Sequence, residues 1–232
     1  MIRAVGITLL VCLTAVAHEP TPRGEASASS PVAVARQFLP PNSQLAELYT
    51  FNYRTGRVQS QWPAVLQCHV VSPDSSDLVF AYYTPRVLRG VEKTLFIDLL
   101  HRTPRGYQKM YEISYRDQVL LIPRAIRIVH LPGVRTDAVA VVAGIGAALG
   151  GRLEVYLWSN LWGWQNIFPP NGSMDYFYLF SKPGGPFVAL ASALVKHRGL
   201  DVSPPPIWFR WNGKRFVKIP PPKGSAGWPL PD

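Results

Sequence analysis

One device recurs four times along this chain: an alternating apolar strand, a turn carrying glycine, then a second short strand opened by a large or basic residue. The copies are Tyr49-Thr50-Phe51-Asn52-Tyr53 with Gly56-Arg57, Leu95-Phe96-Ile97-Asp98-Leu99 with Gly106-Tyr107, Leu153-Glu154-Val155-Tyr156-Leu157 with Gly163-Trp164, and Ile207-Trp208-Phe209-Arg210-Trp211 with Gly213-Lys214. The glycines are spaced 50, 57 and 50 residues apart. A period of this size, with strands alternating at period two, is the signature of a β repeat architecture. The odd positions of each first strand are apolar, while the even ones include Asn52, Asp98, Glu154 and Arg210. Each sheet is therefore expected to bury one face and leave the other at least partly wet.

A second element lies upstream of the last three hairpins: Asp77-Leu78-Val79-Phe80-Ala81-Tyr82, Asp137-Ala138-Val139-Ala140-Val141-Val142 and Pro186-Phe187-Val188-Ala189-Leu190-Ala191. Each follows a short apolar strand and a turn with proline, at Pro73, Pro132 and Pro183. Four strands per unit follow. The expected fold is all-β, built of repeated four-stranded antiparallel units in a propeller-like array, either an incomplete or a small ring. A hairpin at 48–60 and units at about 66–116, 126–170 and 176–219 lie within a body of residues 45–220. The runner-up is a two-sheet β-sandwich. Asn212-Gly213 predicts a type I′ turn between Trp211 and Lys214, because both turn positions need positive φ.

Pro73-Asp74-Ser75-Ser76-Asp77-Leu78-Val79 resembles the Asp-x-x-x-Asp-Leu-Val turn and strand of the FG-GAP and VCBS propeller repeats, and Thr136-Asp137-Ala138-Val139 echoes it. The resemblance covers roughly residues 66 to 220 as three blades, with the Tyr49 hairpin as half of a fourth, and implies a propeller-type fold. That family's calcium loop carries several spaced acids. Here Asp74 and Asp77 stand in one copy, Asp137 alone in the next, and none around Pro183, so calcium binding is not carried over. No cofactor or metal is expected.

Residues 1–17 read as a signal peptide, with Arg3 at the start, an apolar run from Ala4 to Leu13, and Ala15 and Ala17 before the cut. A lipidated Cys12 is the minor alternative, disfavoured by bulky Val11 before it. Export to the periplasm or the outside is expected, with no transmembrane helix in the mature chain. Cleavage leaves Cys68 without an intrachain partner, so stability must come from the core. Cys68 lies in an apolar strand-like run and reads as a buried thiol. A Cys68-His69 dyad is disfavoured, because neighbours on a strand point to opposite faces. Residues 18–44, rich in Pro, Ala and Ser, read as a flexible stalk with a possible turn of helix at Val32 to Phe38, and 221–232 as a Pro/Gly-rich tail.

The chemistry on offer is sparse. Gly144 to Gly150 tempts a dinucleotide-loop reading, but another alternating strand follows where a crossover helix is required. His69, His101, His130 and His197 are scattered with no metal-ligand spacing. Asp98 and Glu154 occupy equivalent strand positions and could converge as a carboxylate pair around an axis, which is the alternative reading of an envelope hydrolase or lyase on an anionic polysaccharide. No nucleophile with a base accompanies them, so no catalytic residue is assigned. Trp164 follows the repeat glycine and reads as a structural position, whereas Trp162 lies in the turn itself and is a candidate for ligand stacking. Asn171-Gly172-Ser173 fits a glycosylation acceptor pattern.

Charge supplies the remaining lead. The chain carries a net charge of +10 with only 16% charged residues. Its basic residues cluster at hairpin turns: Arg54 and Arg57, Arg102 and Arg105, Lys214 and Arg215. Equivalent turns of a repeat array share one rim, and charges on one rim add their fields. The expected function is thus an exported, noncatalytic binding or scaffold protein for an anionic polymer or an envelope partner. Its candidate ligand-binding residues are Arg54, Arg57, Arg102, Arg105, Trp162, Lys214 and Arg215.

Overall fold

The computed structural model describes residues 29–52, 55, 57–85, 93–115, 119–120, 125–144, 151–169, 176–180, 188–192, 195–197, 200–202 and 207–221. Arg54, the glycine-rich stretch 145–150, the acceptor tripeptide at 171–173, the leader and residues 222–232 lie outside them.

Alternation of apolar residues at period two makes strands, and three times the strands fold into a four-stranded antiparallel meander. A short helix α1 (Pro31–Gln37) and β1 (Gln44–Leu45) come first, followed by a hairpin of β2 (Glu47–Asn52) and β3 (Arg57–Pro63). The first meander is β4 (Val65–Cys68), β5 (Asp77–Pro85), β6 (Lys93–Thr103) and β7 (Gly106–Tyr115). After β8 (Val119–Leu120), the second is β9 (Ile126–His130), β10 (Asp137–Gly144), β11 (Gly151–Ser159) and β12 (Gly163–Asn166). The third begins with β13 (Tyr176–Phe180) and β14 (Val188–Ser192), detours through a hairpin of β15 (Val195–His197) and β16 (Leu200–Val202), and ends with β17 (Ile207–Trp211) and β18 (Phe216–Ile219). The fold is all-β, as the sequence predicts, and no sheet closes into a barrel among the described residues.

The repeat extends to register. Phe80 lies opposite both Val65 and Asp98, and Val141 lies opposite both Ile126 and Glu154. The turn residues Gly106, Gly163 and Gly213 have φ of +113°, +70° and +94°, the left-handed region that a side chain disfavours, which is why glycine recurs there. β10 and β11 pair antiparallel up to Gly144 opposite Gly151, a connection with no place for the parallel crossover of a dinucleotide fold.

Four expectations need correction. First, the hairpin β2–β3 is not half of a further unit. β1 and β4 lie along the same edge of β5, and the hairpin projects between them. Its neck is closed where Ala46 donates to the Ala81 carbonyl, Ala64 to Ala46 and Ala81 to Ala64, at 2.8, 2.8 and 2.9 Å. In the second unit β8 and β9 divide the edge of β10 in the same way.

Second, the inner strands of the first two sheets are not wet on one face, whereas Arg210 of the third is exposed as expected. From β5, Val79 and Ala81 pack with Val139, Val141 and Ala143 of β10, while Leu78, Phe80 and Tyr82 pack on the opposite side with Val34 and Ala35 of α1. From β10, Ala138, Ala140 and Val142 pack with Phe209, Trp211 and Phe216 of the third sheet. Three sheets therefore stack face to face, which also replaces the two-sheet sandwich. The even positions Asp98 and Glu154 are buried, because the neighbouring layer covers them.

Third, residues 31–39 are not stalk. Ser30 caps α1 by accepting from the Ala33 N–H at 3.2 Å, Pro31 sits in the first turn, and Ala35 is fully buried against the first sheet. Fourth, the last hairpin forms, but its pairs close at Trp211 with Phe216 and its loop is residues 212–215. Asn212 does not take positive φ. Its side-chain oxygen instead accepts from the Lys214 and Arg215 N–H groups at 3.0 and 2.9 Å, an Asx turn that competes with the type I′ form.

Candidate functional site at the turn end of the stack

In a meander the first and third turns fall at the same end of the sheet. Here those turns are residues 69–76 and 104–105 in the first unit, 131–136 and 160–162 in the second, and 212–215 in the third. The units are stacked in the same sense. The Asp137 N–H donates to the His69 carbonyl at 2.8 Å, and the Trp211 indole donates to the Pro132 carbonyl at 3.0 Å, so the turn ends of all three sheets adjoin.

Two aspartates organise this end. Asp77 is fully buried, and its Oδ2 accepts from the Val70 and Val71 N–H groups, both at 2.8 Å, and from the Ser75 hydroxyl at 2.6 Å. Its Oδ1 faces His101 Nδ1 at 2.7 Å. Asp137 repeats the arrangement one sheet on, with Oδ2 accepting from the His69 N–H and Oδ1 facing His130 Nδ1, each at 2.7 Å. Between the first two sheets opens a cleft of about 460 Å³ lined by Gln67, Cys68, His69, Ser76, Ile128, His130 and Asp137. Sequence reasoning missed this constellation because it depends on cross-strand register: His101 lies opposite Asp77, and His130 opposite Asp137. The available signal was the repeated order of histidine, proline and aspartate at 69, 73 and 77 and again at 130, 132 and 137.

Within the cleft, Cys68 is a buried free thiol, pushed far up by burial and by the charges of Asp77 and Asp137, so it is no nucleophile. No group of three or more potential metal ligands occurs among the described residues.

The two strand carboxylates do not share a site. Asp98 lies opposite Phe80, on the face of the first sheet that packs against α1, and Glu154 lies opposite Val141, on the second sheet's face toward the first. The first sheet thus stands between them, and they have different partners. Glu154 accepts from the hydroxyls of Tyr115 and Tyr156 and pairs with Arg152 Nε at 3.0 Å, a network that ties the first sheet to the second. Burial, with the neighbouring Tyr156 and Glu154, pushes the Tyr115 hydroxyl far up, so it stays a proton donor.

Asp98 is less well served. Lys109 Nζ stands 2.8 Å from Oδ2, but Oδ1 has no hydrogen-bond partner among the described residues. Burial pushes its carboxyl up to about 6, against the pull of Lys109 and with the push of Glu112. An unfolded aspartate titrates near about 3.9. The folded state therefore holds this proton more tightly, and its contribution to stability is present below about pH 4, declines as pH rises to about 6, and is flat above. Urea unfolding of the parent and Asp98→Asn from pH 4 to 7 should show the parent losing on the order of 1–3 kcal/mol relative to the variant across that window. Parallel profiles would mean an ordinary carboxyl.

Of the candidate ligand-binding residues, the turn end gathers Arg102, Arg105, Trp162, Lys214 and Arg215, all exposed. The turns that carry them are braced by side-chain acceptors: Thr103 Oγ1 accepts from the Arg105 N–H, Ser159 Oγ from Leu161 and Asn212 Oδ1 from Lys214. Exposed Arg135, in the second unit's first turn, adds a cation that sequence reasoning passed over, and exposed Asp74 is an acid at the same end. Arg57 does not join them, because it begins β3 at the tip of the projecting hairpin. Trp164 is buried and stacks on Tyr156 with ring centroids 5.7 Å apart, as a structural position should. No protein-family model matches the chain, and no curated protein does.

Proposed function

We propose that this is a noncatalytic, exported binding or scaffold protein whose partial propeller of three blade-like units, related to the FG-GAP and VCBS type, presents its turn end to an anionic partner. The observation that carries the reading is the convergence of exposed Arg102, Arg105, Arg135, Lys214 and Arg215 at the turn end of the stack. Cations on one shared face add their fields. The Asp77 carboxylate is turned onto the Val70 and Val71 N–H groups and His101, and that of Asp137 onto the His69 N–H and His130.

Heparin, as a soluble polyanion, tests the reading. If about four of the cations contact anionic groups, affinity should fall roughly 50-fold between 50 and 200 mM salt. Reversing Arg102, Arg105, Lys214 and Arg215 together to glutamate should abolish binding at 50 mM salt while moving the melting temperature little, since exposed substitutions are nearly neutral. Arg57→Glu, away from the turn end, should bind as the parent does, whereas Arg105→Glu alone should bind more weakly. A parent that ignores heparin at 50 mM salt, or a quadruple variant that binds it unchanged, defeats the reading.

A further inference from the structure

The two most exposed large apolar side chains among the described residues are neighbours: Leu161 at 84% and Trp162 at 72%. They form the tip of the turn between β11 and β12. Turn tips are ordinarily polar, and two large apolar groups kept in water need a partner to justify them. The backbone holds them out. The Trp162 N–H donates to the Ser159 carbonyl at 3.3 Å, and Gln165 Nε2 donates to the Trp162 carbonyl at 3.1 Å. Gly163 behind them turns with φ of +70° directly against the Tyr111 ring, where a Cβ would come within 2.6 Å of Cε2. The tip is thus a supported projection.

Its position matters as much as its composition. The second sheet is the middle of the three, so the tip has Arg102 and Arg105 of the first sheet on one side and Lys214 and Arg215 of the third on the other. A tryptophan and a leucine flanked by cations is the chemistry of a surface that sits at a bilayer interface: the indole takes the headgroup level, the aliphatic chain reaches the acyl boundary, and the cations meet lipid phosphates. A soluble polyanion offers Trp162 a stacking partner and the cations their charges, but gives Leu161 nothing.

We infer that the turn end docks on an anionic lipid surface, with Leu161 and Trp162 entering the headgroup region and Arg102, Arg105, Lys214 and Arg215 pairing with lipid phosphates. The inference rests on the proposed anion-binding role of this end for its charge, and on the apolar tip for its choice of partner.

Co-sedimentation with vesicles of phosphatidylcholine, with and without 30% phosphatidylglycerol, tests it. The full chain serves throughout, so every variant carries the same N-terminal segment and differences report on the turn end. The parent should bind the anionic vesicles more tightly than the neutral ones. Leu161→Ser should weaken vesicle binding about fivefold or more, with heparin binding within about twofold of the parent's, as expected of a change that leaves Trp162 and the charged contacts in place. Each cation removed should cost about fivefold. Lipids brominated on the acyl chain should quench part of the tryptophan emission of the parent and none of that part in Trp162→Phe. If Leu161→Ser binds vesicles as the parent does, or loses heparin and vesicles alike, the tip is no lipid anchor and the inference fails. Binding of heparin without vesicles overturns the lipid partner and leaves the basic face standing, whereas binding of neither overturns both.

Discussion

Asp77→Ala is expected to destabilise the protein by about 3–5 kcal/mol, because it strands several buried donors at once. The carboxylate is fully buried and accepts from the Val70 and Val71 N–H groups and the Ser75 hydroxyl, with His101 Nδ1 on its other oxygen. Each buried donor left without a partner costs about 1–3 kcal/mol, and no water replaces a carboxylate in a packed turn at full value. A typical domain has only about 5–15 kcal/mol in total. Thermal unfolding should move down by about 6–20 °C, since about 1 kcal/mol corresponds to roughly 2–4 °C at this size. Asp77→Asn keeps one oxygen for the backbone donors but turns an amide N–H₂ toward groups that themselves donate, so it should fall between the parent and Asp77→Ala. A melting temperature for Asp77→Ala within about 2 °C of the parent would show that the turn at 69–76 does not depend on this carboxylate.

Removing residues 207–219 should leave an insoluble chain. Phe209, Trp211 and Phe216 are buried against Ala138, Ala140, Val142, Leu153, Val155 and Phe168 of the second unit. Each large side chain accounts for roughly 1.5–3 kcal/mol of burial, so the three together are of the order of a whole domain's stability. The deletion also breaks the bond from the Trp211 indole to Pro132 and from the Phe216 N–H to Ile167. It bares one face of the second sheet and leaves β14 paired with β13 alone. Expression of the shortened chain, followed by size exclusion and calorimetry, decides the matter: a soluble product with the parent's cooperative melting would mean that the third sheet is not part of the same folding unit.

Strand content and hairpin turns were legible because alternation and left-handed turn glycines are local properties, and Gly106, Gly163 and Gly213 stand where the repeat puts them. What covers a strand is not local. Asp98 and Glu154 read as marks of a solvated face because a single strand does not reveal that Tyr115, 39 residues before Glu154, returns from the neighbouring sheet to bond its carboxylate. The histidine–aspartate pairs were hidden for the same reason, since they exist only in the register of two strands. α1 carried its signals openly in Ser30 and Pro31, yet the proline and alanine around it gave the composition of a linker, and a helix of seven residues is decided by its docking and not by propensity. At the turn end, formal charge found Arg102, Arg105, Lys214 and Arg215, whereas Leu161 escaped notice because an apolar residue beside Trp158, Trp162 and Trp164 looks like more core.

The seat of α1 gives the stack a direction. Leu78, Phe80 and Tyr82 face the helix at the position where Val139, Val141 and Ala143 of the next unit face a sheet, so α1 occupies the berth of a preceding unit. Arrays of stacked repeats need a terminal element that is apolar inward and polar outward to stop growth at that end. Lengthening the array ahead of the first unit would therefore require evicting the helix, whereas a unit duplicated between the second and third would find compatible faces on both sides. Evolution or design can lengthen this column ahead of the first unit only by displacing α1.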